Sequence, residues 1–325
     1  MIPASHSVIV VTPVYEDVQA SARLFHELNS QFGDSLFVVA VDDGSVAQPL
    51  PLSNLTDAGV EGVILQLRRN VGHQRAICIG LAYVAEHMHP DQRVVVMDSD
   101  GEDVPATIPP LLDALHPETV DVVVAQRKSR VESLRFKAFY AVYKSFFKVM
   151  TGRPISFGNF MALKARAVKR LVVMQELSIH VAGAVLASKL RLRLLQLDRG
   201  PRFAGQSKMN FVGLALHGFK ALMVFAEDVL VRVGLACAGI AALSFLAASL
   251  AVGLKLIGLS TPGWFSIALG ILVLIFLQTG ALALMTLMLT GVVRSGAIAS
   301  PQSYSDFVDQ VLATPPQAPS ATGPA

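Results

Sequence analysis

Two long runs without a charged residue limit what this chain can become: none occurs from Val233 to Leu254, and none from Leu256 to Val293. Each exceeds the roughly 20 apolar residues that span a bilayer. A charge at mid-membrane costs about 2.5–3.5 kcal/mol, so such runs predict membrane-spanning helices. The first, at about 233–254, would be about 33 Å long at 1.5 Å per residue. After a short connection containing Pro262 and Gly263, the second runs over about 264–293, opening on the interfacial Trp264. Two spans return the chain to the side it left. Arg232 and Arg294 flank that side and Lys255 the other, a positive-inside bias that puts both termini in the cytosol. This localises the apolar excess of a 325-residue chain that is 53% hydrophobic with a mean hydropathy of +0.53.

The rest reads as a soluble domain followed by a membrane anchor. The N-terminus lacks a secretory pattern. Two cysteines, Cys78 and Cys237, cannot form a disulfide framework, which fits a reduced cytosolic setting. A formal net charge of +3 is too small to suggest a nucleic-acid partner. Apolar, β-branched runs at residues 8–12, 36–41, 63–67, 94–97 and 120–125 alternate with helical stretches. That alternation predicts an α/β fold with a mostly parallel sheet covered on both faces. Ligands bind beyond the carboxyl ends of such strands. Asp42-Asp43, Asn70 and the acidic segment 98–103 all follow strands directly, so they should meet at one edge.

That acidic segment, Asp98-Ser-Asp100-Gly-Glu102-Asp103, packs four carboxylates into six residues. Like charges this close raise one another's pKa values unless a cation or donors share the site. Asp98 and Asp100 are two apart and would point the same way in extended backbone. Their oxygens suit a hard divalent ion, Mg²⁺ or Mn²⁺. The other reading is a solvated acidic turn, with Asp103 capping a helix that starts at Pro105. No Gly-x-Gly-x-x-Gly follows the first strand and no Walker-type glycine-rich loop exists, which excludes the usual dinucleotide and P-loop designs.

Taken in order, Thr12-Pro-Val-Tyr-Glu-Asp17, Val41-Asp-Asp-Gly-Ser45, Arg69-Asn-Val-Gly72 and Met97-Asp-Ser-Asp-Gly-Glu-Asp-Val-Pro105 resemble family-2 glycosyltransferases of the GT-A fold. The closer likeness is to polyprenyl-phosphate glycosyltransferases, the group containing dolichol-phosphate mannose synthase. It extends through Arg202-Phe-Ala-Gly-Gln-Ser-Lys208 to the hairpin, over about residues 6–295. The resemblance implies transfer of a sugar from a nucleotide-diphosphate donor to a polyprenyl phosphate, undecaprenyl or dolichyl, with inversion. It implies a protein integral to a membrane, the bacterial inner membrane being the expected one; a homo-oligomer is left open.

The same resemblance implies that Asp98 and Asp100 bind nucleotide and metal, with Glu102 as a further ligand where relatives usually carry Gln. Pro13, Tyr15 and Asp17 would line the donor site, and Asp42 or Asp43 would meet its base or ribose. An Asx-turn with Gly44 is the alternative for either aspartate. Asn70 serves as a helix N-cap or a substrate ligand. Arg127, after the fifth strand, suits a diphosphate through its planar fork. Arg202, Ser207 and Lys208 offer donors for a substrate phosphate or for anionic headgroups. Ser156 and Met161 stand where relatives carry an Asp and an Arg, so no acid–base role transfers there. Asn159 faces either the acceptor or a loop, and His217 is read as structural.

The expected layout is a catalytic domain over 1–208, an interfacial amphipathic helix over 209–231, two spans within 232–294 and a disordered tail over 295–325. Two other readings stay open. One is a polysaccharide-forming relative, against which stand only two spans and the lack of a Gln-x-x-Arg-Trp motif. The other is a non-catalytic scaffold.

Overall fold

A computed structural model describes residues 1–127, 134–154, 156–203, 211–259, 263–296 and 303–315. The chain forms two compact units: 1–140 with 155–224 and 301–325, and 141–154 with 225–300.

The first unit is built on an eight-stranded sheet. β1 (Val8–Val14), β2 (Leu36–Asp42), β3 (Glu61–Leu67) and β4 (Arg93–Val96) come from the apolar runs, with β5 (Val122–Arg127), β6 (Met161–Lys164), β7 (Leu192–Leu197) and β8 (Val308–Ala313). Their order is β7-β5-β6-β4-β1-β2-β3-β8. β1 pairs in parallel with β2 and β4, β2 with β3, and β5 with β7. Only the short β6 and the edge strand β8 run against their neighbours. Every residue of β1 and β2 is buried, because helices cover both faces: α1 (Val18–Phe32), α2 (Ser53–Asp57), α3 (His73–His87), α4 (Ile108–Leu115), α6 (Ala165–Val172) and α7 (Val181–Ala187); the unit also holds the first part of α5 (Leu134–Thr151) and α8 (Phe211–Met223).

Alternate strand residues feed two cores. Ile9, Val11, Val39 and Val41 pack with Ile77 and Leu81 of α3, while Val8, Val10, Val38 and Ala40 pack with Leu24, Phe25 and Leu28 of α1. Each fully buried Leu or Phe contributes about 1.5–3 kcal/mol of transfer free energy. This double burial explains the unbroken apolar runs of the sequence.

The tail departs from expectation. In place of a disordered segment, Tyr304–Asp306 form a 3₁₀ turn and β8 follows, hydrogen-bonded antiparallel to β3. Val308 is buried, Gly62 N–H donates to Thr314 Oγ1 at 2.9 Å, and Tyr304 O–H donates to Glu86 at 3.0 Å. The segment brings apolar residues of its own, Phe307, Val308, Val311 and Leu312, and the open edge of β3 supplies the backbone partners it needs.

The second unit holds α9 (Ala226–Leu256) and α10 (Trp264–Gly296), both long and apolar enough to cross a membrane. Gly234 lies against Thr286, and Phe245 against Phe276, so the two run antiparallel. A side chain at Gly234 would meet Thr286 Oγ1 at 2.7 Å, so this glycine lets the helices approach closely. Leu235, Leu243, Leu246, Leu274 and Leu287 project outward, exposed. The amphipathic stretch expected over 209–231 is helical from Phe211 to Met223, and residues 226–231 already belong to α9. The end of α5 joins this unit, with Phe147 packed edge-on against Phe225.

Candidate active site

The carboxylates leave the sheet at its centre. β4 ends at Val96, so Asp98 and Asp100 stand on a tight loop and not on extended strand. Asp103 does not cap a helix. Its Oδ2 accepts the Asp98 N–H at 3.0 Å and closes the loop on itself, and the following 3₁₀ turn is preceded by Val104. Within the loop Glu102 N–H donates to Asp100 Oδ1 at 2.9 Å.

Two arginines from the segment after β7 supply the counter-charge. Arg202 Nη2 is 2.7 Å from Asp100 Oδ2 and its Nε is 3.1 Å from Glu102 Oε1. Arg199 pairs directly with Glu102, and lies 3.9 Å from Asp98 Oδ2 and 3.7 Å from Asp103 Oδ1. Burial, and then the charge of Asp98, hold the Asp100 carboxyl above the usual range, against the pull of Arg202, Arg199 and His73.

His73, the first residue of α3, places Nε2 3.2 Å from Asp98 Oδ1 and 3.1 Å from Asn159 Nδ2. Crowding by protein disfavours its charge, but the carboxylates of Asp98, Asp103 and Asp100 outweigh this and raise its pKa. A cleft opens here, walled by Asp98, Glu102, Gln126, Asn159 and Arg199.

The hard oxygen donors of Asp98, Asp100 and Glu102 fit a Mg²⁺ or Mn²⁺ ion by their chemistry. Guanidinium groups share these oxygens, and among the described residues no three carboxylate, histidine or cysteine side chains are gathered around one point as a ready cage.

Both β2 aspartates are committed to loop architecture. Asp42 accepts from Ser45 N–H at 3.1 Å and Leu50 N–H at 2.9 Å, and Asp43 from Val71 N–H at 2.7 Å and Gly72 N–H at 3.0 Å. Burial raises the Asp43 pKa, partly offset by those two backbone donors and His73. Asn70 is not the N-cap of α3; Gly72 holds that position, and Asn70 is exposed. Gly44, at φ +68, presses on the Arg69 carbonyl carbon, where a Cβ would come within 2.4 Å, so the β2 and β3 loops are stacked.

Pro13 is buried in β1 opposite Val41, Tyr15 is exposed at the strand end, and Asp17 precedes α1 without a side-chain cap bond. Its neighbour Glu16 does the structural work: at φ +48, it accepts from Val46, Ala47 and Gln48 N–H at 2.6–2.9 Å. For Arg127 only the backbone is described, at the end of β5 opposite Leu197. Ser207 and Lys208 lie outside the described residues.

Sequence reasoning missed Arg199, His73 and Glu16. Arg199 offered one signal, a basic residue just after a strand and three before Arg202.

Residues 9–168 match the family described as Glycosyl transferase family 2. The chain is 29% identical over 280 residues to the uncharacterized glycosyltransferase sll0501 of Synechocystis sp., covering 82% of this chain and 84% of that one. Among solved structures it is similar to glucosyl-3-phosphoglycerate synthase from Mycobacterium tuberculosis in complex with Mn²⁺, UDP-glucose and phosphoglyceric acid. That likeness has a TM-score of 0.50 and 15% identity, over 70% of this chain and 80% of that one, and shows a common fold.

Proposed function

The chain is a glycosyltransferase of the GT-A fold whose residues 9–168 form a family 2 domain, and from this premise we propose that it transfers a sugar from a nucleotide-diphosphate donor to a polyprenyl phosphate at a membrane. One observation carries the reading. The chain leaves the catalytic sheet for two long apolar helices and then returns to the same sheet as β8. If α9 and α10 span a bilayer, both ends of the hairpin emerge on the catalytic side, beside Arg232 and Arg294, the side that positive charge assigns to the cytosol. A transferase anchored in this way works where a lipid's phosphate head is available.

In this reading Asp98, Asp100 and Glu102 would hold a divalent ion, which when bound would supply positive charge toward the leaving diphosphate. The mycobacterial fold neighbour, solved with Mn²⁺, a nucleotide sugar and a phosphate-bearing acceptor, supports the same classes here. Arg202 and Arg199 stand beside the carboxylates and can turn their forks to diphosphate oxygens; Lys208 and Arg127 follow in the same role. Asp42, Asp43 and Glu16 shape the loops around the donor rather than hydrogen-bonding it freely. His73 and Asn159 line the approach to Asp98.

The acceptor phosphate is ionised at neutral pH and attacks the anomeric carbon from the face opposite the leaving group, so a dedicated general base is not needed. Ser156, where relatives carry Asp, fits that economy. The donor half is tested by thermal stabilisation of the detergent-solubilised protein. Nucleoside diphosphates with Mn²⁺ should raise its melting temperature, and silence from every nucleobase would overturn this half.

A further inference from the structure

The carboxylate loop and the segment after β7 are zipped together. Gly200 N–H donates to Glu102 O at 3.0 Å and Phe203 N–H to Asp100 O at 2.8 Å. Gly101, at φ +86, lies under the Phe203 ring so closely that a Cβ would sit 2.5 Å from its carbons. Arg23 covers the Phe203 ring at 4.1 Å. On this frame the two arginines behave differently. Arg202 makes two contacts of hydrogen-bond length, one to each of two carboxylates. Arg199 spreads over three, touching Glu102 and facing Asp98 and Asp103 at 3.9 and 3.7 Å, beyond hydrogen-bond range. Its charge is anchored on Glu102 and also acts on Asp98 and Asp103.

We propose that Arg199 couples ion binding to nucleotide binding: its charge weakens a divalent ion at Asp98 and Glu102 when the ion comes alone, and strengthens the ion and diphosphate together. This rests on the donor reading above. A cation held against the same oxygens repels an incoming one, because like charges a few ångströms apart near a protein surface are only partly screened. When a diphosphate arrives, its negative charge reverses the sign, and the guanidinium fork has a new partner. The result is linkage, in which each ligand raises the affinity of the other by the same factor. Arg199 acts here as a positioning residue for charge.

The test is titration of Mn²⁺, followed by the signal of the free ion in electron paramagnetic resonance, into the full-length protein with no nucleotide and with saturating UDP or GDP. Arg199→Gln should bind Mn²⁺ alone about fivefold or more tighter than the parent, and the gain on adding nucleotide should shrink by at least that factor. Arg199→Met should do the same while keeping the side-chain stem, and Arg199→Lys should behave like the parent. A merely structural arginine would not tighten Mn²⁺ when removed. Unchanged or weaker Mn²⁺ binding by both neutral variants, or an unchanged gain with nucleotide, overturns the proposal. A parent protein that binds no Mn²⁺ even with UDP or GDP overturns the donor reading as well.

Discussion

His180 and His217 face each other with their Nε2 atoms 3.1 Å apart, and a third contact fixes which one donates. His180 Nδ1 accepts the Gly183 N–H at 3.0 Å, so its proton sits on Nε2 and is donated to His217, whose own proton is then on Nδ1. His180 thereby caps α7 and ties it to α8 as a neutral ring. Burial, and then the neighbouring His217, push the His180 imidazole down to about 3.

The pair makes stability depend on acid. The folded pKa lies below the unfolded value of about 6.5, so the unfolded chain takes up a proton that the folded chain refuses. The contribution is fully present above about pH 6.5 and is lost as pH falls toward about 3, with a slope approaching 1.4 kcal/mol per pH unit. Melting of the parent protein between pH 7 and 5 should show this decline. His180→Asn keeps a capping side chain and should flatten it.

Asp121 should behave as a structural anchor rather than a ligand. It accepts from Arg191 N–H, Nε and Nη2 at 2.9–3.0 Å and from Arg166 Nε at 2.6 Å, tying the starts of β5 and β7 to α6. The Arg191 hydrogen bonds hold its pKa well below the usual carboxylate range. Its stabilisation is therefore present above about pH 4 and lost in stronger acid. Asp121→Asn should cost about 2 kcal/mol, read as a lower urea midpoint at pH 7, with donor binding retained at low denaturant.

Removing residues 303–325 should uncover β3 and lower the melting temperature of the catalytic unit. The loss includes the β3–β8 ladder, buried Val308 and the Thr314 bond to Gly62, together on the order of 2–3 kcal/mol. An unchanged melting temperature would mean that β8 adds no stability.

Asp100→Asn should cut sugar transfer by about 10²-fold or more, while shifting the melting temperature little, because the Asp100 carboxylate bonds, among the described residues, within its loop and to Arg202, and the backbone bond to Phe203 is kept. Rates and melting curves of the same preparation separate the two effects.

What could be read beforehand follows from periodicity. β1, β2 and β3 are legible because strands buried on both faces write unbroken apolar runs, and the acidic loop is legible because it starts where such a run stops. β6 was not legible. Met161 to Lys164 is four residues, too short for its period to be read, and its place between β4 and β5 is decided by tertiary pairing. β8 hides in a Pro- and Ser-containing tail and exists because an edge was open to it. Arg199 and His73 were invisible as site residues because nothing local links them to the acidic loop: Arg199 is 97 positions from Glu102 and His73 is 25 from Asp98. For the aspartates at the end of β2 the sequence leaves two readings, a donor contact or an Asx-turn with Gly44, and both carboxylates accept from backbone N–H groups of the neighbouring loops.

The central claim is the acceptor, and the direct measurement is transfer of a radiolabelled sugar from a panel of nucleotide-diphosphate sugars into the organic phase with undecaprenyl phosphate and Mn²⁺. Transfer from at least one donor, lost in Asp100→Asn and absent without the lipid phosphate, is the result expected. Label that reaches only water-soluble acceptors, or never reaches the lipid with any donor, would contradict it.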